Sequence, residues 1–228
     1  MSMVRMYIGV MKYMYRIFLK RMIDLILALL AFPFFIIILM VLAPIIYLED
    51  RGSVFYNAPR MGQNGKIFKM YKFRSMRANA PDIRNSDGST YNGYGDLRVT
   101  MIGKFIRKTS LDELPQLINI IKGDMSIIGP RPNLATKSYD SFDEIRRKRV
   151  SVRPGITGYS QAYFRNSISQ DEKFSNDCYY VDNVNFIFDI KIFFRTIITV
   201  LKRENIYVEG NIDIPTNMVE EKTEKSVV

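Results

Sequence analysis

The sequence predicts an α/β protein, mostly helical, embedded in a membrane from one side: a re-entrant helix hairpin, interfacial amphipathic helices and a small β element. Three observations predict it. Residues 25–47 carry no charge, Pro33 stands inside that run, and both of its flanks are basic. At about 1.5 Å per residue the run would cross a bilayer core as one straight helix, and hydropathy alone favours that plain span. A span, however, leaves one basic flank inside and a less basic flank outside. Here Arg5, Lys12, Arg16, Lys20 and Arg21 come before the run with no acid among residues 1–21. Arg51, Arg60, Lys66, Lys69, Lys72, Arg74 and Arg77 follow it, with no acid between Arg51 and Arg77. Both flanks are therefore expected on the cytoplasmic side.

Taken in order, residues 1–21 read as a basic interfacial helix. Val4, Tyr7, Ile8, Met11, Tyr15 and Phe18 share one face, and Arg5, Lys12, Arg16 and Lys20 another. A disordered basic leader is the alternative. Residues 22–50 form the hairpin, turning at Pro33, whose ring and missing N–H favour a kink. The run is too long and too aromatic for a signal peptide. Residues 51–208 make up the cytoplasmic domain, and 209–228, polar and without aromatics after Tyr207, a flexible tail. Within the domain, Lys and Arg alternate with apolar residues over 66–74, which predicts a strand or hairpin with one basic face. Residues 78–96 read as a surface loop. Helical periodicity returns over 111–121 and 186–201, and Asp189, Lys191 and Arg195 make the latter an amphipathic helix rather than a second span.

Composition then narrows the chemistry. The 228 residues hold 33 Lys+Arg against 23 Asp+Glu, a formal charge of +10, with no His and one Cys. That excludes His-based nucleophile systems, His-ligated metals and disulfide frameworks. Carboxylates, Lys/Arg, hydroxyls and an oxygen-ligated cation such as magnesium remain. The net charge calls for a polyanionic partner.

The densest cluster is Arg107-Lys108-Thr109-Ser110-Leu111-Asp112-Glu113-Leu114-Pro115, followed by Lys122-Gly123-Asp124-Met125-Ser126 and Gly129-Pro130-Arg131-Pro132. Ser110 and Glu113 alone have capping-box spacing, with Asp112 complementing a helix dipole. The accompanying Arg107 and Arg131 suggest more: fixed guanidinium groups facing a carboxylate at a helix start describe a phosphate site. Without His, an Asp attacking phosphorus is a sensible way to split phosphoryl transfer into two steps. Magnesium and several Arg or Lys would have to neutralise the repulsion, with Lys72 and Arg74 available.

At these residues a resemblance becomes specific. The order Tyr71-Lys72-Phe73-Arg74-Ser75-Met76, Leu111-Asp112-Glu113-Leu114-Pro115-Gln116, Lys122-Gly123-Asp124-Met125-Ser126, Gly129-Pro130-Arg131-Pro132 and Arg153-Pro154-Gly155-Ile156-Thr157-Gly158 resembles the bacterial sugar transferase family, the small monotopic phosphoglycosyl transferases. The similarity runs from about residue 20 to 203. It implies a ping-pong reaction at the cytoplasmic face of the bacterial inner membrane, starting a lipid-linked glycan (capsule, exopolysaccharide, O-antigen or glycoprotein glycan). Asp112 would attack the sugar-bearing phosphate of a UDP-sugar, release UMP and pass the phosphosugar to undecaprenyl phosphate. Glu113 would assist, and Mg2+ would bridge Asp112 and the diphosphate. Arg107 and Arg131 would hold phosphate, with Lys72 and Arg153 as further contributors. The family's hairpin usually kinks at Ser-Pro, where this chain has Phe32-Pro33.

Anionic membrane lipids are expected partners from the charge, nucleic acid is not, and a homodimer is left open. One rival is a noncatalytic membrane-anchored basic module binding anionic lipid or nucleic acid, and another a glycosyltransferase that passes sugar directly to its acceptor. Residues 146–149 read as a solvated or headgroup-facing basic surface, Tyr179 and Tyr180 as packing, Cys178 as an inert thiol, and residues 165–169 as a polar lining of the sugar pocket. Which sugar is carried is not legible.

Overall fold

The structure, a computed structural model, describes residues 9–85, 91, 93 and 95–202. Val4, Arg5, Tyr7, Ile8 and the tail expected from Glu209 lie outside the described residues. One long helix, Gly9–Asp50, opens the chain. It contains a π-turn at Tyr15–Leu19 and then α1 (Lys20–Asp50). In a π-turn the N–H of Lys20 reaches the carbonyl of Tyr15, five residues back. This overturns the two faces expected from a 100° step, because Tyr15 and Lys20 now converge on one carboxylate, that of buried Asp189. Each lies 2.6 Å from it.

The hairpin differs from expectation too. Pro33 and Pro44 lie inside α1, and the helix continues through both, so the 22–50 segment does not form two helices joined by a turn. Each proline removes one ladder donor, but the inner face of the helix is anchored on both sides of them. Asp24, Ala28, Phe35, Leu42 and Ile46 recur at steps of four and seven residues, which aligns them on one face, and all are buried. Phe35 packs 5.6 Å from the ring of Phe32 and 6.1 Å from that of Phe73. The outward residues Leu30, Phe34, Met40, Val41 and Leu48 are more than half exposed. An apolar surface of that length is what a membrane covers.

Both ends of α1 are tied to the globular body. Arg21 donates to the carbonyls of Ile120 and Ile121 at 2.6 and 3.1 Å, and Asp24 accepts from the N–H of Ile127 at 3.0 Å. At the far end Glu49 accepts from the N–H of Met101, and Asp50 receives the guanidinium of Arg74.

The body contains an antiparallel hairpin, β1 (Phe55–Met61) with β2 (Ile67–Phe73), extended by β4 (Asn133–Leu134), and a parallel pair, β3 (Ser126–Ile128) with β5 (Gly155–Thr157). The helices are α2 (Met101–Lys108), α3 (Gln116–Lys122), α4 (Glu144–Arg149), α5 (Tyr159–Tyr163), α6 (Gln170–Asn183) and α7 (Phe186–Lys202). The expected strand over 66–74 is β2, but not with one basic face. Lys69 and Lys72 fall on opposite sides of the pleat, and Lys72 shares the inward side of buried Phe68 and Met70. The periodicity over 111–121 divides at Pro115 into a 3-10 turn, Leu111–Glu113, and α3.

One core cluster joins α1 to β2, α2 and α3 through Phe35, Leu42, Met70, Phe73, Ile106 and Ile120. A second joins β3, α5, α6 and α7 around Ile128, Tyr180 and Ile192. As expected, Tyr180 serves packing. It is buried and donates to Asp189 at 2.8 Å. Helix α7 is amphipathic with its apolar face outward: Ile187, Phe194 and Leu201 are exposed, whereas Asp189 and Thr199 are buried beside Ile192. The described part of the 78–96 segment is not merely surface, because buried Arg98 binds Asp96 and the carbonyls of Pro81 and Tyr91.

Candidate active site

Asp112 and Glu113 sit on the 3-10 turn between α2 and α3. The capping box that their spacing suggested is not formed. Ser110 is left-handed at φ 58° and makes no side-chain cap, whereas capping requires an extended residue. Glu113 is engaged elsewhere: its Oε1 is 2.7 Å from Lys72 Nζ and 3.4 Å from Arg131 Nη1. Asp112 Oδ2 lies 3.6 Å from the same Lys72.

These four side chains come from elements that the backbone locks together. Asn119, buried in α3, accepts from the N–H of Tyr71 at 2.9 Å and donates to the carbonyl of Lys69 at 2.8 Å, satisfying β2 just before Lys72. Arg131 stands in a turn gripped by three glycines. A Cβ on Gly129, Gly155 or Gly158 would meet backbone at 2.4, 2.1 or 2.2 Å, so only glycine allows β3 and β5 to approach this closely. Arg149 supports the turn from behind by donating to the carbonyl of Arg131 at 3.2 Å and to Asn133.

An open cleft of about 1590 Å³ runs past the turn, and Lys72, Arg107, Asp112, Glu113 and Arg131 all line it. The structure brings these five of the residues singled out in the sequence to one cleft. Arg153 is not among the lining residues: its Nε donates to the carbonyl of Gly123 at 3.1 Å, beside Arg21. Arg74 reaches the cleft wall, but its guanidinium is bound to Asp50 and to the carbonyl of Ile46. The expected basic surface over 146–149 also resolves differently, since successive helical residues point to different sides. Arg149 is buried against Asp177, with Ser160 on the same carboxylate, while Lys148 pairs with Asp182 at the surface. Arg165 and Asn166 line the cleft, as do Ser169 and Gln161. Gln161 went unnoticed in the sequence, yet both its amide atoms are closed to solvent and have no partner among the described residues. Burial pushes the Cys178 thiol up, which suits an inert role.

The surroundings push the two carboxyls in opposite directions. Burial pushes the Asp112 carboxyl above the usual range, opposed by Lys72 and reinforced by the charge of Glu113. Burial acts on Glu113 too, but Lys72 and Arg131 outweigh it and hold this carboxyl at about 2. Among the described residues no cluster of three metal-ligating side chains occurs. Magnesium does not need one, because it binds through one or two carboxylates and completes its shell with water and substrate phosphate. Asp112 and Glu113, which share Lys72 at 3.6 and 2.7 Å, offer two carboxylates of that kind.

Residues 15–203 match the family model described as bacterial sugar transferase. The chain belongs to the bacterial sugar transferase family. This sugar transferase is 40% identical over 188 residues to an uncharacterized sugar transferase, EpsL, of Bacillus subtilis, covering 82% of this chain and 90% of that one. It is 40% identical over 190 residues to a UDP-N-acetylgalactosamine-undecaprenyl-phosphate N-acetylgalactosaminephosphotransferase of Aeromonas hydrophila, covering 81% and 44%. It is 38% identical over 207 residues to an undecaprenyl-phosphate galactose phosphotransferase of Salmonella typhimurium, covering 83% and 42%. The sugar transferase thus spans most of EpsL and less than half of the other two.

Proposed function

We propose that this sugar transferase moves a phosphosugar from a UDP-sugar to undecaprenyl phosphate through a covalent intermediate on Asp112, the initiating step of a lipid-linked glycan. The observation that carries the reading is the unequal pair on the 3-10 turn. Among the described residues Glu113 is held by two cations, whereas Asp112 has only the more distant Lys72 contact and lines the basic cleft. The names of the Aeromonas and Salmonella relatives support the donor and acceptor classes.

In the first half-reaction an Asp112 carboxylate oxygen bonds to the sugar-bearing phosphorus. The bond from that phosphorus to the bridging oxygen breaks, and UMP leaves with the oxygen and its electron pair. In the second, an oxygen of undecaprenyl phosphate bonds to the same phosphorus and Asp112 is released as carboxylate. Lys72 and Arg131 offset the repulsion between carboxylate and phosphate and keep Glu113 ionised. A magnesium ion held by Asp112 and Glu113 would supply further charge neutralisation. Incubation with a UDP-sugar and magnesium, without lipid, is expected to release UMP in amounts near that of the enzyme and to leave a phosphosugar mass on the Asp112 peptide. Absence of the adduct from a turning-over enzyme would favour direct transfer.

We also infer a monotopic pose at the cytoplasmic face of the inner membrane, with both flanks of α1 on that side. From Asp24 to Asp50 a straight helix is about 39 Å long, enough to separate two membrane faces, yet both ends hydrogen-bond one body. A body on one side meets both ends of an unbroken helix only if that helix does not cross, its inner face lying on the body and its outward apolar face in the bilayer. In a Cys178→Ser background, Gly9→Cys and Ser53→Cys should both resist an impermeant thiol reagent added to intact cells. Labelling at one of them would mean a span.

A further inference from the structure

Arg60 lines the cleft from β1, opposite Phe68 on one side and Leu134 on the other. It differs from its neighbours in having no ion-pair partner among the described residues. Arg74, Arg84, Arg98 and Arg149 are paired with Asp50, Asp82, Asp96 and Asp177. The Nε of Arg60 is closed to solvent and has no hydrogen-bond partner, and none of the ion pairs among the described residues includes this guanidinium. Burial, with the like charges of Arg131 and Arg84, pulls it down to about 10 against the opposing pull of Tyr56 and Asp82. Holding a cation in this way is costly in the ligand-free protein. The cost is recovered when an anion with matched geometry arrives.

We propose that Arg60, beside Arg131, forms a subsite for the uridine-bearing phosphate of the donor, the phosphate that departs in UMP. The assignment rests on the UDP-sugar reading above and deepens it. Three phosphates are candidates. The one under attack lies at Asp112, where Lys72 is already in place. Lys72 pairs across the hairpin with Tyr56, and Arg60 stands four residues further along β1, about 13 Å at strand rise. Arg131 acts on both positions, 3.4 Å from Glu113 and with its charge felt by Arg60. The acceptor phosphate carries a lipid tail that must stay in the bilayer. Arg60 lines a cleft whose wall includes none of the exposed apolar residues of α1 or α7, which keeps it off the membrane-facing surface. The soluble nucleotide is the ligand that can reach it.

Titration of the full-length protein with UMP and with uridine tests this. Arg60→Gln should raise the UMP dissociation constant about 10- to 100-fold, the worth of one charge-assisted contact. It should leave uridine binding unchanged and should not lower the unfolding temperature of the ligand-free protein, as loss of a structural arginine would. Arg60→Lys, which keeps charge but not the fork, should lie between, and it carries the comparison if Arg60→Gln does not fold. Unchanged UMP affinity overturns the subsite, as does an equal loss for uridine. A raised KM for undecaprenyl phosphate with unchanged UMP affinity overturns it in favour of the lipid. A wild type that binds no UMP contradicts the nucleotide-sugar reading itself, whereas UMP bound equally by wild type and variant contradicts only the role of Arg60.

Discussion

Asp112→Asn should lower kcat/KM by at least about a thousand-fold, the scale on which removal of a nucleophile acts, and should abolish the phosphosugar adduct. The same change should leave the fold intact. Asp112 is nearly buried, its closest cation is 3.6 Å away, and burial already disfavours its charged form, so a neutral isostere relieves as much as it removes. Thermal unfolding within a few degrees of wild type, with activity gone, separates chemistry from stability. Activity near wild type would remove Asp112 as nucleophile. The sign of the pH dependence follows from the same environment. The attacking carboxylate must be ionised, so activity falls as pH drops through a pKa lying above the usual Asp value of about 3.9. Lys72 lowers that pKa, and Lys72→Gln should therefore move the acid limb of kcat/KM to higher pH. A limb that moves to lower pH would contradict the electrostatic role given to Lys72.

The second large effect concerns stability. Asp177 and Arg149 form an ion pair whose side chains are 3% and 4% exposed, with Phe174 stacked 4.0 Å from the guanidinium. Asp177→Ala leaves that cation buried and unpaired, a loss of about 3–5 kcal/mol. For a domain of this size the unfolding temperature should fall by roughly 6–20 °C. Asp182→Ala, which breaks the surface pair with Lys148, should cost less than about 1 kcal/mol. The double replacement Arg149→Met with Asp177→Leu should recover much of the loss, because it removes both desolvated charges. Equal effects at Asp177 and Asp182 would contradict the buried assignment.

The contrast between Lys148 and Arg149 marks what the sequence could and could not reveal. Adjacent in a basic run, they differ only in which side of α4 they occupy, and the partner that decides this lies 28 residues away in α6. Arg60 and Asn119 are the same kind of case. Each is one polar residue in an ordinary pattern, and its meaning depends on a neighbour supplied by another element. What was legible is local or linked in chain order: β2 from its alternation, α7 from its interrupted apolar periodicity, and the convergence of Lys72, Arg107, Asp112, Glu113 and Arg131 from the ordered motifs. Hydropathy located α1 but could not say which face was core, and Pro33 alone does not decide whether a helix stops. Phe35 against Phe73 is the long-range contact that carries it through.

The inner face of α1 has a practical consequence. Ala28, Phe35, Leu42 and Ile46 are members of the same core cluster as Met70, Phe73 and Ile106. The membrane element is therefore a wall of the catalytic body and not a detachable tether. A truncation beginning after Asp50 would strip β2, α2 and α3 of their packing surface and expose it to water. A water-soluble form is better sought by keeping the helix and recoding its outward residues, Leu30, Phe34, Met40, Val41 and Leu48, to polar helix formers.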